Sequence, residues 1–230
     1  MKKLVILTGA GMSAESGIST FRDSGGLWEQ HRIEDVATPE AWIRDPALVH
    51  RFYNLRRKQL TEVEPNDGHF GLVELEKDFE VKVITQNVDN LHERAGSKYV
   101  LHLHGELMKM RSTGPDETVY EVSNDKLDFQ AGDLCPKGYP IRPHIVWFGE
   151  MVPAINQAIQ LVEQADILVI IGTSMQVYPA AGLINYTRRN IPIFLIDPNE
   201  IHTGKTGVTL IKSSASKGVK KLSELLYKLR

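Results

Sequence analysis

The residues able to do chemistry in this 230-residue sequence stand in short clusters that follow apolar runs. In "GAGMSAESGISTFRDSGG", Gly9, Gly11 and Ala14 match the spacing G-x-G-x-x-G/A. In such a turn the missing side chains let backbone N–H groups approach a pyrophosphate. A dinucleotide-dependent dehydrogenase would continue with a helix and a second strand ending in an acidic residue about 20 positions on. Here "SGISTFRDSGG" and helical pieces follow, so the phosphate turn stands without a hydride-transfer context. Later clusters, "TQNVDNLHERAG", "HLHGEL", "RPHIVWFGE", "GTSMQVYPAAG" and "IDPNE", supply Asn, Asp, His, Ser and Thr. Taken singly, each has a bland account, because Asn and Asp cap helices and a lone histidine is more often a satisfied core residue. That account gives no reason for all of them to meet at one sheet edge. A further cluster, "RFYNLRRKQL" at 51–60, sets Tyr53 and Arg56 at i and i+3, on one face if the segment is helical. Alone it reads as a solvated basic helix face.

These clusters need a scaffold. Short Val- and Ile-rich runs recur at 3–9, 81–87, 99–105, 144–149, 166–174 and 193–199. Near-continuous runs of this kind, rather than alternation, mark strands of a parallel sheet covered on both faces. Helical spacing of apolar residues intervenes at 68–79, 155–165, 179–190 and in the C-terminal "ASKGVKKLSELLYKL". The alternation predicts an α/β fold with a doubly wound, mostly parallel, Rossmann-like sheet whose ligands bind beyond the carboxyl ends of the strands. Residues 17–67 show helical pieces and no convincing strand, and 106–142 are polar and turn-rich. Both are expected to form a smaller inserted module, with the large part spanning 1–16, 68–105 and 143–230 of a single domain.

Composition narrows the function classes. With 42% hydrophobic and 24% charged residues the chain is ordinary for a globular protein, and no run approaches the ~18 apolar residues of a membrane span. The opening "MKKLVILTGAGMSA" has too short an apolar stretch for a signal peptide. A net charge of -2 offers no broad footprint for nucleic acid or an acidic membrane. One cysteine, Cys135, excludes an intramolecular disulfide and a multi-cysteine zinc site. These features together predict a cytoplasmic protein with no nucleic-acid or membrane partner.

"GAGMSAESGISTFRD", "TQNVDNLHERAG", "HLHG", "RPHIVWFGE" and "GTSMQVYPAA" resemble, in order and spacing, the signatures of the sirtuins, the NAD-dependent protein-lysine deacylases. The resemblance runs from Lys3 to about Ala215. It implies that Gly9, Ala10, Gly11, Ser13, Ala14 and Gly17 cradle NAD phosphates, with Phe21 and Arg22 in a loop over the co-substrate. It implies contacts from Gln86 to the nicotinamide ribose, from Asn87 and Asp89 to a twisted carboxamide, with Val88 also at the cofactor, and from Gly172, Thr173, Ser174, Asn199 and Ala215 to the adenosine half. His104 matches the catalytic histidine and His102 does not. The implied reaction expels nicotinamide, lets the acyl oxygen of a substrate lysine attack the ribose, and uses His104 as general base on a ribose hydroxyl. The acyl-lysine peptide is expected as an added strand between Val146, Phe148 and Gly149 on one side and Val177 and Tyr178 on the other.

In the family branch that removes acidic acyl groups, "FYNLRR" aligns with a segment whose Tyr and Arg face the acyl pocket. That maps onto Tyr53 and Arg56, which could grip a succinyl or malonyl carboxylate, while Arg57 is expected to remain a surface charge. "HRIEDVATPEAW", residues 31–42, resembles the same branch, and Ala14 with nearby small residues would leave room for the longer chain. The sequence departs from the family where most members carry two C-x-x-C pairs for zinc. Only Cys135 remains, Gly138 and Ser112 stand where further cysteines would be expected, and no bound zinc is expected. Two other readings stay open: a mono-ADP-ribosyltransferase of sirtuin type, and a non-catalytic NAD or ADP-ribose binding module.

Overall fold

The computed structural model describes residues 1–18 and 31–229. Its strands are β1 (Lys3–Thr8), β2 (Glu80–Thr85), β3 (Val100–His102), β4 (Gly105–Ser112), β5 (Val119–Glu121), β6 (Ile141–Ile145), β7 (Ile167–Ile171), β8 (Ile193–Asp197) and β9 (Val208–Lys212). Its α-helices are α1 (Ile33–Val36), α2 (Pro39–Arg44), α3 (Pro46–Thr61), α4 (Asp67–Leu75), α5 (Leu91–Ala95), α6 (Ile155–Glu163) and α7 (Ala215–Tyr227). Among the described residues no helix is long and apolar enough to cross a membrane.

Six strands pair in parallel in the order β3-β2-β1-β7-β8-β9. The apolar runs have the cause expected, since every residue of β7 and β8 is buried between two helical layers. On one face α4 and α7 pack Leu72, Leu75, Val219 and Leu222 onto Leu4, Ile6, Val83 and Val169. On the other, Ala158 and Val162 of α6 and Leu183 and Ile184 cover Val5, Leu7, Leu168 and Ile170. The strand order reverses beside β1, between β2 and β7, and such a reversal opens a crevice at the carboxyl ends. The segment expected as a helix at 179–190 is a 3-10 run over Ala180–Tyr186 instead. Gly182 within it disfavours a regular α-helix.

A second, antiparallel sheet has the order β5-β4-β6. This corrects two expectations. The run at 144–149 is not a strand of the parallel sheet: β6 ends at Ile145 and pairs antiparallel with β4. It reads like a parallel strand because Ile145 and the following Trp147 are buried among the helices of 33–61. The polar stretch 106–142 holds β4 and β5, whose period-two burial breaks where the register shifts between Gly105 and Met110. Helices α1, α2 and α3 pack Val36, Ala41, Val49, Phe52, Tyr53 and Leu60 on Leu107, Ile145 and Trp147. Thr38 and Asp45 cap α2 and α3 by accepting from the backbone of Ala41 at 3.1 Å and Leu48 at 2.8 Å, and Pro39 and Pro46 open them.

Candidate active site

The glycine turn lies at the strand-order reversal. Gly9 and Gly11 donate their N–H groups to Ile171 O at 3.0 Å and Gly172 O at 2.8 Å, tying the end of β1 to the end of β7. A Cβ on Gly11 would fall 2.7 Å from Gly172 Cα, and one on Gly172, whose φ is +60°, would fall 2.4 Å from Gly11 C. These glycines are required by the approach of two backbones, a constraint that the spacing alone attributes to phosphate. Ala10 and Ser13 lie in the tight 3-10 turns after β1, Ala14 is exposed, and Gly17 closes them with φ +96°. Phe21 and Arg22 lie outside the described residues.

A buried polar floor joins this turn to the end of β2. Ser13 Oγ donates to Asp89 Oδ2 at 2.9 Å and accepts from Asn87 Nδ2 at 3.1 Å, while Leu91 N–H donates to Asp89 Oδ1 at 3.1 Å. Burial pushes the Asp89 carboxyl up, against the pull of those hydrogen bonds. The floor has the donor set a carboxamide needs: Asp89 can accept from an amide NH2, and the Asn87 amide has both a donor and an acceptor. Val88, between them, is half-buried and passes its carbonyl to Leu107 N–H at 2.7 Å. Gln86 donates to Thr173 Oγ1 at 3.0 Å, across the β1–β7 junction. Ser174 follows, Asn199 turns back after β8 by donating to Asp197 Oδ1 at 2.8 Å, and Ala215 is buried at the start of α7. All of these lie beyond the carboxyl ends of the strands.

His104 sits where the chain leaves β3 for the small sheet. Its Nδ1 is 3.1 Å from Gln86 O, and a carbonyl only accepts, so Nδ1 carries the proton and Nε2 keeps the lone pair. Burial holds the imidazole below its ordinary range, so it is neutral at neutral pH. Gly105, with φ +81°, allows this exit, since a Cβ there would lie 2.0 Å from His144 O. His102 has a different task. Its ring bridges Asn87 O at 3.0 Å and Glu93 Oε1 at 2.8 Å, and Glu93 raises its pKa against burial. It steadies the Asn87 backbone rather than facing the crevice. Sequence reading passed over this pair, and also over Thr8, Thr85 and His92, bonded at 2.8 Å and 3.0 Å beneath the floor.

Helix α3 brings Tyr53 and Arg56 to the same region. Tyr53 is buried, and its hydroxyl accepts from Trp147 Nε1 at 3.1 Å, which leaves its own proton to donate. Burial pushes the Tyr53 phenol up to about 12, so it stays protonated. Arg56 interacts electrostatically with Tyr53 and Asp89, and lines a narrow cavity with Ile18, Gln59, Leu60, Val88 and Leu107. Trp147 is fixed in turn by Arg142, whose guanidinium lies 3.3 Å from its ring centroid and pairs with Glu150 at 2.7 and 3.0 Å. Val146 donates its N–H to His104 O at 2.9 Å and Phe148 to Ala37 O at 3.0 Å, and Phe148, Gly149, Val177 and Tyr178 are exposed along the mouth. Arg57 corrects an expectation. It is fully buried, not a surface charge: Nη1 donates to Asn54 Oδ1 at 3.2 Å, Nη2 to Met110 Sδ at 3.0 Å, and burial lowers its pKa to about 10.

The small module does not fit zinc. Cys135 Sγ has Ser112 Oγ at 3.4 Å, and among the described residues no group of three or more His, Cys, Asp and Glu side chains converges. A tetrahedral site needs four such donors.

Comparison with known proteins agrees with this geometry. A family model described as the Sir2 family matches residues 9–179. A curated relative from Bacteroides thetaiotaomicron, called an NAD-dependent protein deacylase, is 57% identical over 231 residues, covering 98% of each chain. A crystal structure of a Sir2 homologue in complex with NAD is 39% identical with a TM-score of 0.89, covering 99% of this chain and 90% of that one. A mutant Sir2 homologue in complex with 2′-O-acetyl-ADP-ribose has the same identity and TM-score, covering 99% and 93%. With the signature clusters gathered at one crevice and the match spanning most of its length, the chain belongs to the Sir2 family.

Proposed function

We infer that this chain is an NAD-dependent protein-lysine deacylase and propose that it favours lysines bearing short acidic acyl groups, succinyl or malonyl, over acetyl-lysine. Support for the acyl preference comes from Arg56, which lines a narrow cavity beside Asp89 and interacts electrostatically with Tyr53. A carboxylate entering a cavity lined by Ile18, Gln59, Leu60, Val88, Asp89 and Leu107 costs several kcal/mol unless it is paired, the more so beside the Asp89 carboxyl. A guanidinium and a phenolic O–H together meet that need, and a bidentate arginine contact is the stronger of the two. Acetyl-lysine makes no use of either group.

When bound, NAD supplies an activated ribose and a nicotinamide leaving group. The remaining work belongs to the chain. The Ser13–Asn87–Asp89 floor orients the carboxamide, Gln86 and Thr173 span the sugar region, and the exposed edges at Val146, Phe148 and Gly149 and at Val177 and Tyr178 seat the peptide. Neutral His104 accepts a ribose hydroxyl proton at Nε2 while Gln86 O holds its Nδ1–H. The products are lysine, nicotinamide and 2′-O-acyl-ADP-ribose, formed in the cytoplasm. The test is nicotinamide release from NAD with matched succinyl- and acetyl-lysine peptides: faster succinyl turnover supports the preference, and equal or faster acetyl turnover overturns it.

A further inference from the structure

Residues beside Tyr53 and Arg56 on α3 point into a different part of the molecule. At about 100° per residue, Arg56, Tyr53, Arg57 and Asn54 follow one another around roughly 160° of the helix. Asn54 grips the backbone of Phe129 in both senses, donating Nδ2 to Phe129 O at 2.9 Å and accepting Phe129 N–H on Oδ1 at 3.1 Å. The same Oδ1 accepts from Arg57, so the network fixes the orientation of the amide. Arg57 Cζ lies 5.1 Å from the Phe129 ring centroid, and Lys126 Nζ lies 5.2 Å from it. Phe129 and Met110, the other partner of Arg57, belong to the cluster with Val122, Cys135 and Ile141 that forms the core of the small module. Regular structure within 122–141 is sparse, and its one isolated bridge joins Leu134 to Pro140. A buried guanidinium is an expensive residue to keep where an apolar side chain of the same length would pack, unless its hydrogen bonds fix an arrangement.

We propose that the Asn54–Arg57–Phe129 clamp closes the 106–142 module in place of a metal and sets the rotation of α3 that aims Tyr53 and Arg56 at the acyl carboxylate. The first half stands on the clamp's own geometry; the second rests on the acyl preference proposed above. Asn54 and Arg57 are positioning residues and touch no substrate.

The test uses the full chain and two variants, Asn54→Ala and the volume-conserving Arg57→Met. Amide hydrogen exchange and steady-state kinetics with NAD and matched succinyl- and acetyl-lysine peptides are measured for each. Exchange in 122–141 is expected to quicken at least tenfold while β1 and β7 stay protected. KM for the succinyl peptide is expected to rise five- to tenfold at nearly constant kcat, with the acetyl constants within twofold. Unchanged exchange in 122–141 overturns the clamp; KM values that rise together for both peptides, or for neither, overturn its control of α3. If the parent shows no succinyl preference, the acyl reading and the aiming role fail together, and exchange alone then upholds or overturns the clamp. Arg57→Met serves as the second variant should Asn54→Ala fail to fold.

Discussion

Replacing Arg56 by Met removes a charge while nearly preserving side-chain length. Arg56 lines a narrow cavity with Ile18, Leu60, Val88, Asp89 and Leu107, where a carboxylate has no other cation at hand among the described lining residues. A charge-assisted hydrogen bond contributes about 1.5–3 kcal/mol, and leaving a desolvated carboxylate without its partner raises the loss to roughly 2–5 kcal/mol. Arg56 is only half-buried, which places the loss toward the lower part of that range, near 3 kcal/mol. At 1.4 kcal/mol per tenfold, kcat/KM for a succinyl-lysine peptide should drop about a hundredfold. Acetyl-lysine has no carboxylate to strand, so its kcat/KM should stay within about threefold, the residual change coming through the field of Arg56 on Asp89. The assay is nicotinamide release under saturating NAD with both peptides for parent and variant. A parallel fall for the two peptides, or no fall for either, would refute the carboxylate grip and return α3 to a structural role.

His104→Ala should lower kcat by about 10²–10⁴ without moving the thermal midpoint by more than about 2 °C, because it removes a general base from a half-buried position. Burial depresses the His104 pKa, so the acid limb of the kcat/KM profile should fall below the ordinary ~6.5; a limb above it contradicts burial as the dominant influence on the imidazole. His69 is held neutral down to about pH 4 by burial, whereas the unfolded chain takes up that proton near 6.5. The unfolded state therefore binds more protons in between. Stability is whole above pH 6.5 and is lost as pH falls toward 4, by up to about 3 kcal/mol, and His69→Asn should flatten the thermal midpoint against pH. Glu150→Gln should destabilise the chain by roughly 2–4 kcal/mol in denaturant unfolding, since it strands the buried Arg142 stacked on Trp147. Gly105→Ala should abolish soluble, active protein, because its Cβ has no room beside His144 O.

The parallel sheet was legible because β1, β2, β7 and β8 are buried on both faces and leave continuous apolar runs. The same signal misplaced β6, since helices of 33–61 cover it as thoroughly as α6 and α7 cover the large sheet. β4 was hidden by a register break, and β9 by lying at the edge with only Ile211 of its five residues buried. Gly9 and Gly11 were legible as a tight turn, but their reason is the backbone of Gly172, a residue far along the chain that no local spacing reveals. Arg56 and Arg57 show the limit most clearly. Adjacent and chemically identical, they are separated only by what α3 packs against: Arg57 meets Phe129 and Met110, and Arg56 meets the crevice. The resemblance of the motifs supplied the candidates for catalysis and nucleotide contact; the Thr8–Thr85–His92 layer, the His102–Glu93 pair and the Arg142–Glu150–Trp147 support had no spacing signal of their own.

The most direct measurement is the stoichiometry of one reaction. A succinyl-lysine peptide and NAD are incubated with the protein, and nicotinamide, free-lysine peptide and acyl-ADP-ribose are quantified by mass spectrometry. The three are expected in equal amounts, with no acyl loss when NAD is omitted. Acyl loss without NAD consumption, or nicotinamide release with ADP-ribose attached to protein and the acyl group intact, would contradict it.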